Sequence, residues 1–245
     1  MASQATDPAT RMVVPSVESA RVTRTLPFLL SMIAGATDVI GFLGLGIFTA
    51  QVTGNLVFLA AHAVTGSAAP VARMMAVPVF MLVVGLTRLL AAACEAIGLA
   101  PLRPLLLLHL SLLVCFLALG VSAGSHLEAD SAVATVAAML GVSAMAVQNA
   151  LIRIGLTGAP ATSVMTTNVT LLTLDLTSIL LARKPDDVVK ARDRARHTWP
   201  VVAGFVIGCG LGTWCEVAIG FWSLALPAGL ALLALMLELT HRNER

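Results

Sequence analysis

The run GATDVIGFLGLGIFTAQVTGN, residues 35–55, places an acid, Asp38, inside an apolar stretch and ends in the polar triplet Thr53-Gly54-Asn55. The triplet stands at the head of a second apolar run, and a related pattern returns later as Gln148-Asn149 and then Thr166-Thr167-Asn168. Polar side chains and helix-weakening glycine are costly at membrane depth, so two such clusters in apolar surroundings read as a site and not as filler.

The rest of the chain supplies those surroundings. Of its 245 residues 58% are hydrophobic and 11% charged, with a mean hydropathy of +0.93. A soluble domain carries about 25% charged residues and could not hide this much apolar surface in one core, so the bilayer must solvate most of the molecule. The net charge of +2 gives no basic field for a nucleic-acid partner. Cys94, Cys115, Cys209 and Cys215 fall in apolar runs without a CxxC pair and read as buried small hydrophobes. Residues 1–25 are polar and aperiodic, which predicts a disordered cytoplasmic tail and not a cleaved leader.

A bilayer-crossing helix needs about 20 apolar residues. By that measure the segments are 26–47 (with Asp38), 48–64, 74–98 (with Arg88 and Glu95), 104–123, 131–151, 160–182, 199–219 and 221–239. An acidic loop, 124–130, divides a first membrane repeat, 26–123, from a second, 131–240. The one long hydrophilic connection, 183–198, is strongly basic, and a short tail, 241–245, ends the chain. The expected fold is thus an all-α, polytopic integral membrane protein of six to eight membrane segments.

The two halves look alike. Thr53-Gly54-Asn55 matches Thr166-Thr167-Asn168, and Cys94-Glu95 matches Cys215-Glu216 in the same order. The interval from Asn55 to Glu95 is 40 residues and that from Asn168 to Glu216 is 48, the difference being absorbed by the longer basic loop. Duplicated halves are a common plan for transporters, with the site between the repeats. With eight spans, twelve basic residues lie on one side against Arg103 and Arg153 on the other, which puts both termini in the cytoplasm. If segments 48–64 and 160–182 are instead re-entrant, six spans remain, Arg103 and Arg153 move inside, and the acidic loop moves outside. The repeats are parallel in the first case and inverted in the second, and charge counting does not separate them.

Candidate residues follow from depth. Asp38 reads as a coupling or substrate-binding carboxylate, or as the structural partner of Arg88, the one basic residue inside a span. Thr53, Gly54 and Asn55 could unwind a helix and offer backbone groups and an amide to a solute. Asn168 with its two threonines, Gln148, Asn149 and Asp175 are the remaining pathway candidates. Gly204, Gly208 and Gly212, four apart, predict one close-packed helix face. The sequence contains no HExxH, phosphate-cradling loop or metal-ligand spacing, so no catalytic residue, metal or cofactor is assigned and the chain is read as a non-enzyme.

The residues G-A-T-D-V-I-G-F-L-G-L-G-I-F-T-A-Q-V-T-G-N, together with V-Q-N-A-L-I-R and T-T-N-V-T in the second half, resemble the bacterial YoaK family of polytopic membrane proteins, over about residues 25 to 240. The resemblance implies a multi-pass protein of a bacterial plasma membrane with about six spans, and no activity. Where such families keep Thr-Gly in the second half, this chain has Thr166-Thr167.

The leading expectation is a small-solute transporter or permease in the bacterial inner membrane, both termini cytoplasmic. Its partners are the lipid bilayer and a small solute, and its apolar exterior is compatible with a homo-oligomer. The alternative is a non-transporting membrane scaffold or accessory subunit. A third, less favoured, is an intramembrane enzyme using Asp38, His109 or Asp175.

Overall fold

A computed structural model describes residues 17–65, 71–123, 131–156, 160–162, 164–181 and 185–243. The chain runs α1 (Val17–Leu45), α2 (Val52–Thr65), α3 (Val71–Ala96), α4 (Leu102–Ala123), α5 (Ala132–Gly155), α6 (Met165–Leu180), α7 (Pro185–Ile219), a 3-10 turn (Gly220–Leu224) and α8 (Ala225–Asn243). No strand occurs among the described residues. Five continuous stretches are long and apolar enough to cross a bilayer, and the last of them, residues 185–240, holds both α7 and α8. The fold is the all-helical, polytopic membrane architecture that the composition demands.

Two boundaries differ from the sequence reading. Residues 17–25, expected in a disordered tail, form the first turns of α1, because the apolar helix behind them supplies a nucleus and Glu18, Ala20 and Arg21 are adequate helix formers. Residues 185–198, expected as a loop, are the start of the 35-residue α7. Pro185 at its first position and Asp186 and Asp187 in its first turn suit a helix N-terminus, where a lost N–H costs nothing and carboxylates meet the positive end of the dipole. Residues 1–16, the acidic loop 124–130 and the final residues 244–245 lie outside the described residues.

Helices α2 and α6 are short, 14 and 16 residues, or roughly 21 and 24 Å, against about 30 Å of hydrocarbon. Each follows a break at the end of a long helix. At the first break, Gly46 takes φ +70°, and the bonds Gly46 N–H to Phe42 O (3.0 Å) and Ile47 N–H to Gly41 O (3.3 Å) close α1 with a left-handed cap. The chain then doubles back along α1. A Cβ on Gly41 would lie 2.8 Å from the Thr49 methyl carbon, so only glycine there lets the returning strand pass.

The contacts also fix helix directions. Along α1 and α7 the paired positions rise together: the Ser31 hydroxyl donates to Val201 O (2.5 Å), the Cys209 thiol to Gly35 O (3.5 Å), and Gly212 faces Ala36 and Val39. These helices are parallel. Along α1 and α5 they run oppositely, since Gln148 reaches Leu30 O while the Thr49 methyl, held against Gly41, also faces Gly141. Along α4 and α5 the pairs Leu102–Gly155, His109–Ala144 and Phe116–Gly141 again run oppositely.

Helix α1 lies mainly on α7 and also on α8, α5 lies on both α3 and α4, α2 on α3 and α6 on α7. The closest approach is α1 to α7, where Gly204, Gly208 and Gly212 are buried. Cβ atoms on Gly35 and Gly208 would collide with the backbone carbonyls of Phe205 and Met32, as expected of helices held by van der Waals contact and not by the hydrophobic effect. The exterior is apolar, with Met81, Leu82 and Leu86 on α3 and Val206, Trp214 and Val217 on α7 exposed. Ser31, Thr37, Asp38, Thr49, Asn55, His109 and Gln148 are buried. This apolar exterior around a polar interior is what a lipid solvent selects.

Candidate functional site

The buried polar groups gather around the two breaks. At the first, Asp38 points from α1 into the returning strand, where one carboxylate oxygen, Oδ1, accepts the Ala50 N–H at 2.8 Å and the Thr49 hydroxyl at 3.4 Å. Its partners are therefore donors of the break. Arg88 is not among them. That guanidinium pairs with Glu95 at 3.5 Å, both side chains about half exposed on the outer face of α3, because residues seven apart share a helix face. The expected Asp38–Arg88 pair is thus replaced by Arg88–Glu95.

Thr53, Gly54 and Asn55 form the first turn of α2 and do not unwind a helix. Thr53 is exposed and Gly54 half-buried; a Cβ at Gly54 would meet the Phe48 ring at 2.8 Å. Asn55, wholly buried, clamps the strand seven residues back: its Oδ1 accepts the Phe48 N–H (3.0 Å) and its Nδ2 donates to Phe48 O (2.6 Å). Around this clamp Phe42, Phe48 and Phe58 stack with ring centroids 4.8–6.2 Å apart. The Arg73 guanidinium covers the Phe58 ring at 4.7 Å, and its Nε donates to Gly46 O (2.8 Å). Its NH1 lies 3.5 Å from Nε2 of His62.

The second break, between α5 and α6, is lined by the buried Gln148, Thr162 and Asn168. Gln148, on α5, is 1% exposed. Its Nε2 donates to Leu30 O (2.8 Å) and to the Thr162 hydroxyl (3.2 Å), and Thr162 lies three residues before α6. Thr166, Thr167 and Asn168 form the first turn of α6. Asn168 also reaches seven residues back, its Nδ2 donating to Ala161 O (2.7 Å). Asp175, 4% exposed, accepts both Nε (2.9 Å) and NH2 (2.5 Å) of Arg194 on α7. Asn149 is not drawn in; its Nδ2 bonds Met145 O (2.9 Å) in its own helix.

Several participants were not apparent in the sequence. Arg73 and Phe48 carry no motif. Arg194 stood in the basic run, which read as a topology signal, although its place nineteen residues beyond Asp175 across a helical hairpin was a usable clue. His109, in a leucine-rich run, reads from the sequence as interfacial or locally hydrogen-bonded. It is wholly buried, with Nδ1 3.0 Å from Ala144 O. A carbonyl can only accept, so the proton sits on Nδ1 and Nε2 of the neutral ring is an acceptor. That Nε2, and Oε1 of Gln148, have no hydrogen-bond partner. The cysteines are all free, and only Cys94 is buried; Cys115 is exposed on the apolar exterior, where lipid tolerates it as well as a core would.

The sequence profile of the family described as "Protein of unknown function (DUF1275)" matches residues 26–237. No curated protein and no solved structure matches. The matched region includes both breaks and every buried polar residue named above, and the YoaK proteins that residues 35–55 resemble belong to the same group. On that match this multi-pass membrane chain is a member of the DUF1275 family.

Proposed function

We propose that this protein is a small-solute transporter of the plasma membrane, with its pathway between two halves related by an inverted internal repeat. The observation that carries the reading is the pair of breaks. Each joins a long helix to one too short to span, and each is engaged by a buried polar side chain from the long helix, Asp38 or Gln148. The antiparallel setting of α1 and α5 supports six spans with α2 and α6 re-entrant from opposite sides. Non-helical backbone at membrane depth, in inverted halves, is the recurrent construction of transporter sites. Under six spans the basic residues in the first turns of α7, with Arg103 and Arg153, lie on the side of both termini, which the positive-inside rule makes cytoplasmic. Asp38, Asn55, Gln148 and Asn168 border the pathway, and Asp38 carries its charge.

One observation favours the scaffold reading instead: both polar atoms of Asn55 are spent on Phe48, a closed arrangement that needs no solute. Cysteine accessibility separates the two. In a background without native cysteines, single cysteines at positions 38, 55 and 64 are probed from each side with an impermeant thiol reagent. Transport requires labelling at 38 or 55, and re-entrant α2 requires that Val64, 88% exposed at the end of α2, be reached from outside. Protection of 38 and 55 in folded protein would mean a dry interior and a scaffold.

A further inference from the structure

Two carboxylates are buried among the described residues, and their charges are met differently. Asp175 is 4% exposed and faces the Arg194 guanidinium. Asp38 is 3% exposed and has no cation: the ion pairs among the described residues are Arg88–Glu95, Arg194–Asp175 and Arg196–Asp193. What Asp38 has are uncharged donors, the Ala50 N–H at 2.8 Å and the Thr49 hydroxyl at 3.4 Å. Both belong to the strand that leads into α2 at Val52. The elements packed on α1 bring no cation to it. From α7, Cys209 lies within electrostatic reach of Asp38 and donates its thiol to Gly35 O, while Glu216 lies beside Gly44 and is held by the Ser223 hydroxyl. Helix α5 carries one charged residue, Arg153, in its last turn, α8 carries charge only from Glu238 onward, and the 3-10 turn carries none. Arg73 is engaged at Gly46 O and the Phe58 ring.

A carboxylate removed from water needs a counter-charge or a proton. The groups turned toward Asp38 are N–H and O–H donors, which repel a metal ion, since such an ion needs several oxygen acceptors. No group of three metal-ligating acids, histidines or cysteines occurs among the described residues. A proton asks for no more than one carboxylate lone pair. The same donors, close to the positive end of α2, favour the anion, so the proton can leave again. We infer that Asp38 is a reversible proton-binding site that governs the first break. Ionised, it holds Thr49 and Ala50 by charge-assisted bonds and keeps the returning strand closed. Protonated, it is a neutral acceptor and lets the strand go. This rests on the transport reading above and names its coupling ion, a proton taken from water by the carboxylate and returned to it.

The test is infrared difference spectroscopy, acid minus alkaline, on the purified full chain in lipid vesicles. A protonated carboxyl absorbs as a C=O stretch apart from the carboxylate bands. One such band should be lost in Asp38→Asn and kept in Asp175→Asn, where the acid removed already has its guanidinium. Asp38→Ser is the second variant should the amide not fold. A spectrum unchanged by the folded Asp38 variant means an acid that exchanges no proton, and overturns the inference. Control of the break is read from a single cysteine, Ala50→Cys, in a background without native cysteines; Ala50 is 4% exposed. Asp38→Asn keeps an acceptor without the charge, and should raise labelling of that cysteine by an impermeant thiol reagent about tenfold at fixed pH, the difference between a charge-assisted and a neutral hydrogen bond. An unchanged rate overturns the control. Labelling at positions 38 and 55 keeps the failures apart. Where both are reached, a missing band refutes the proton alone; where both are protected, transport fails and the coupling role fails with it.

Discussion

The two breaks, before α2 and before α6, differ in how far their polar groups are satisfied. In the first, the buried polar side chains have found partners: Asp38 holds Ala50 and Thr49, Asn55 makes two bonds to Phe48, and Arg73 seals the aromatic stack against Gly46. In the second, Asn168 makes one bond to Ala161, Gln148 leaves an oxygen free, and Asp175 draws in Arg194 from the next helix. The first break is thus a closed cap and the second an incompletely satisfied one, and the side chains around each decide which retains unused polar groups.

The contrast extends to the helices behind the breaks, where the largest effect is expected. Helix α7 lies against α1 through glycines, and a Cβ at Gly208 would stand 2.9 Å from the Met32 carbonyl carbon and Cα. Backbone cannot rotate away as a side chain can. Gly208→Leu should push the helices apart and cost more than about 3 kcal/mol, the upper range for overpacking. Helix α3, which packs on α5, buries Ala76, Thr87 and Ala91 where α7 buries glycines. There Thr87 bonds only Val83 O in its own helix (2.7 Å), and Thr87→Ala should cost under about 1 kcal/mol. Thermal midpoints and monodisperse yield in detergent measure both. Equal losses would mean that the two contacts are equally tight.

A smaller difference is expected at the clamps themselves. Asn55→Ala leaves both the N–H and the C=O of Phe48 unpaired in a buried place, about 2–3 kcal/mol, whereas Asn168→Ala strands one carbonyl, about 1 kcal/mol. Denaturant titration of the two variants against the parent chain checks the order. If Asn168→Ala is the more damaging, the second break is the more rigid and the comparison reverses.

What the sequence made legible was cost. Asp38, Asn55, Gln148 and Asn168 were conspicuous because polar groups in apolar runs need a reason, and the matched intervals gave them an order. Helix existence followed from apolar length alone. The partners were not legible, because they are decided by where the chain doubles back. Asp38 meets Ala50 only after Gly46 has reversed the strand, so the plausible sequence partner Arg88 was the wrong one. His109 gave no signal, since a histidine in a leucine-rich helix reads alike whether it faces a headgroup or the Ala144 carbonyl. The helical start of α7 was hidden for a similar reason: its basic residues signal topology equally well as loop or as helix.

The smallest expected effect sharpens the comparison at its outer edge, where each short helix meets an arginine. Arg194 lies over Asp175 with its side chain 61% exposed while the carboxylate is 6% exposed. Water screens the cation, so the pair as a whole adds little, but removing the cation leaves a buried acid alone. Arg194→Gln should therefore lower the thermal midpoint measurably, and Asp175→Asn added to it should recover most of the loss, because an amide needs no counter-charge. Arg73→Gln, which gives up a ring face and one carbonyl but strands no acid, should cost less and gain nothing from a second change at His62. A double variant no more stable than Arg194→Gln alone would show that the guanidinium acts by packing and not by charge.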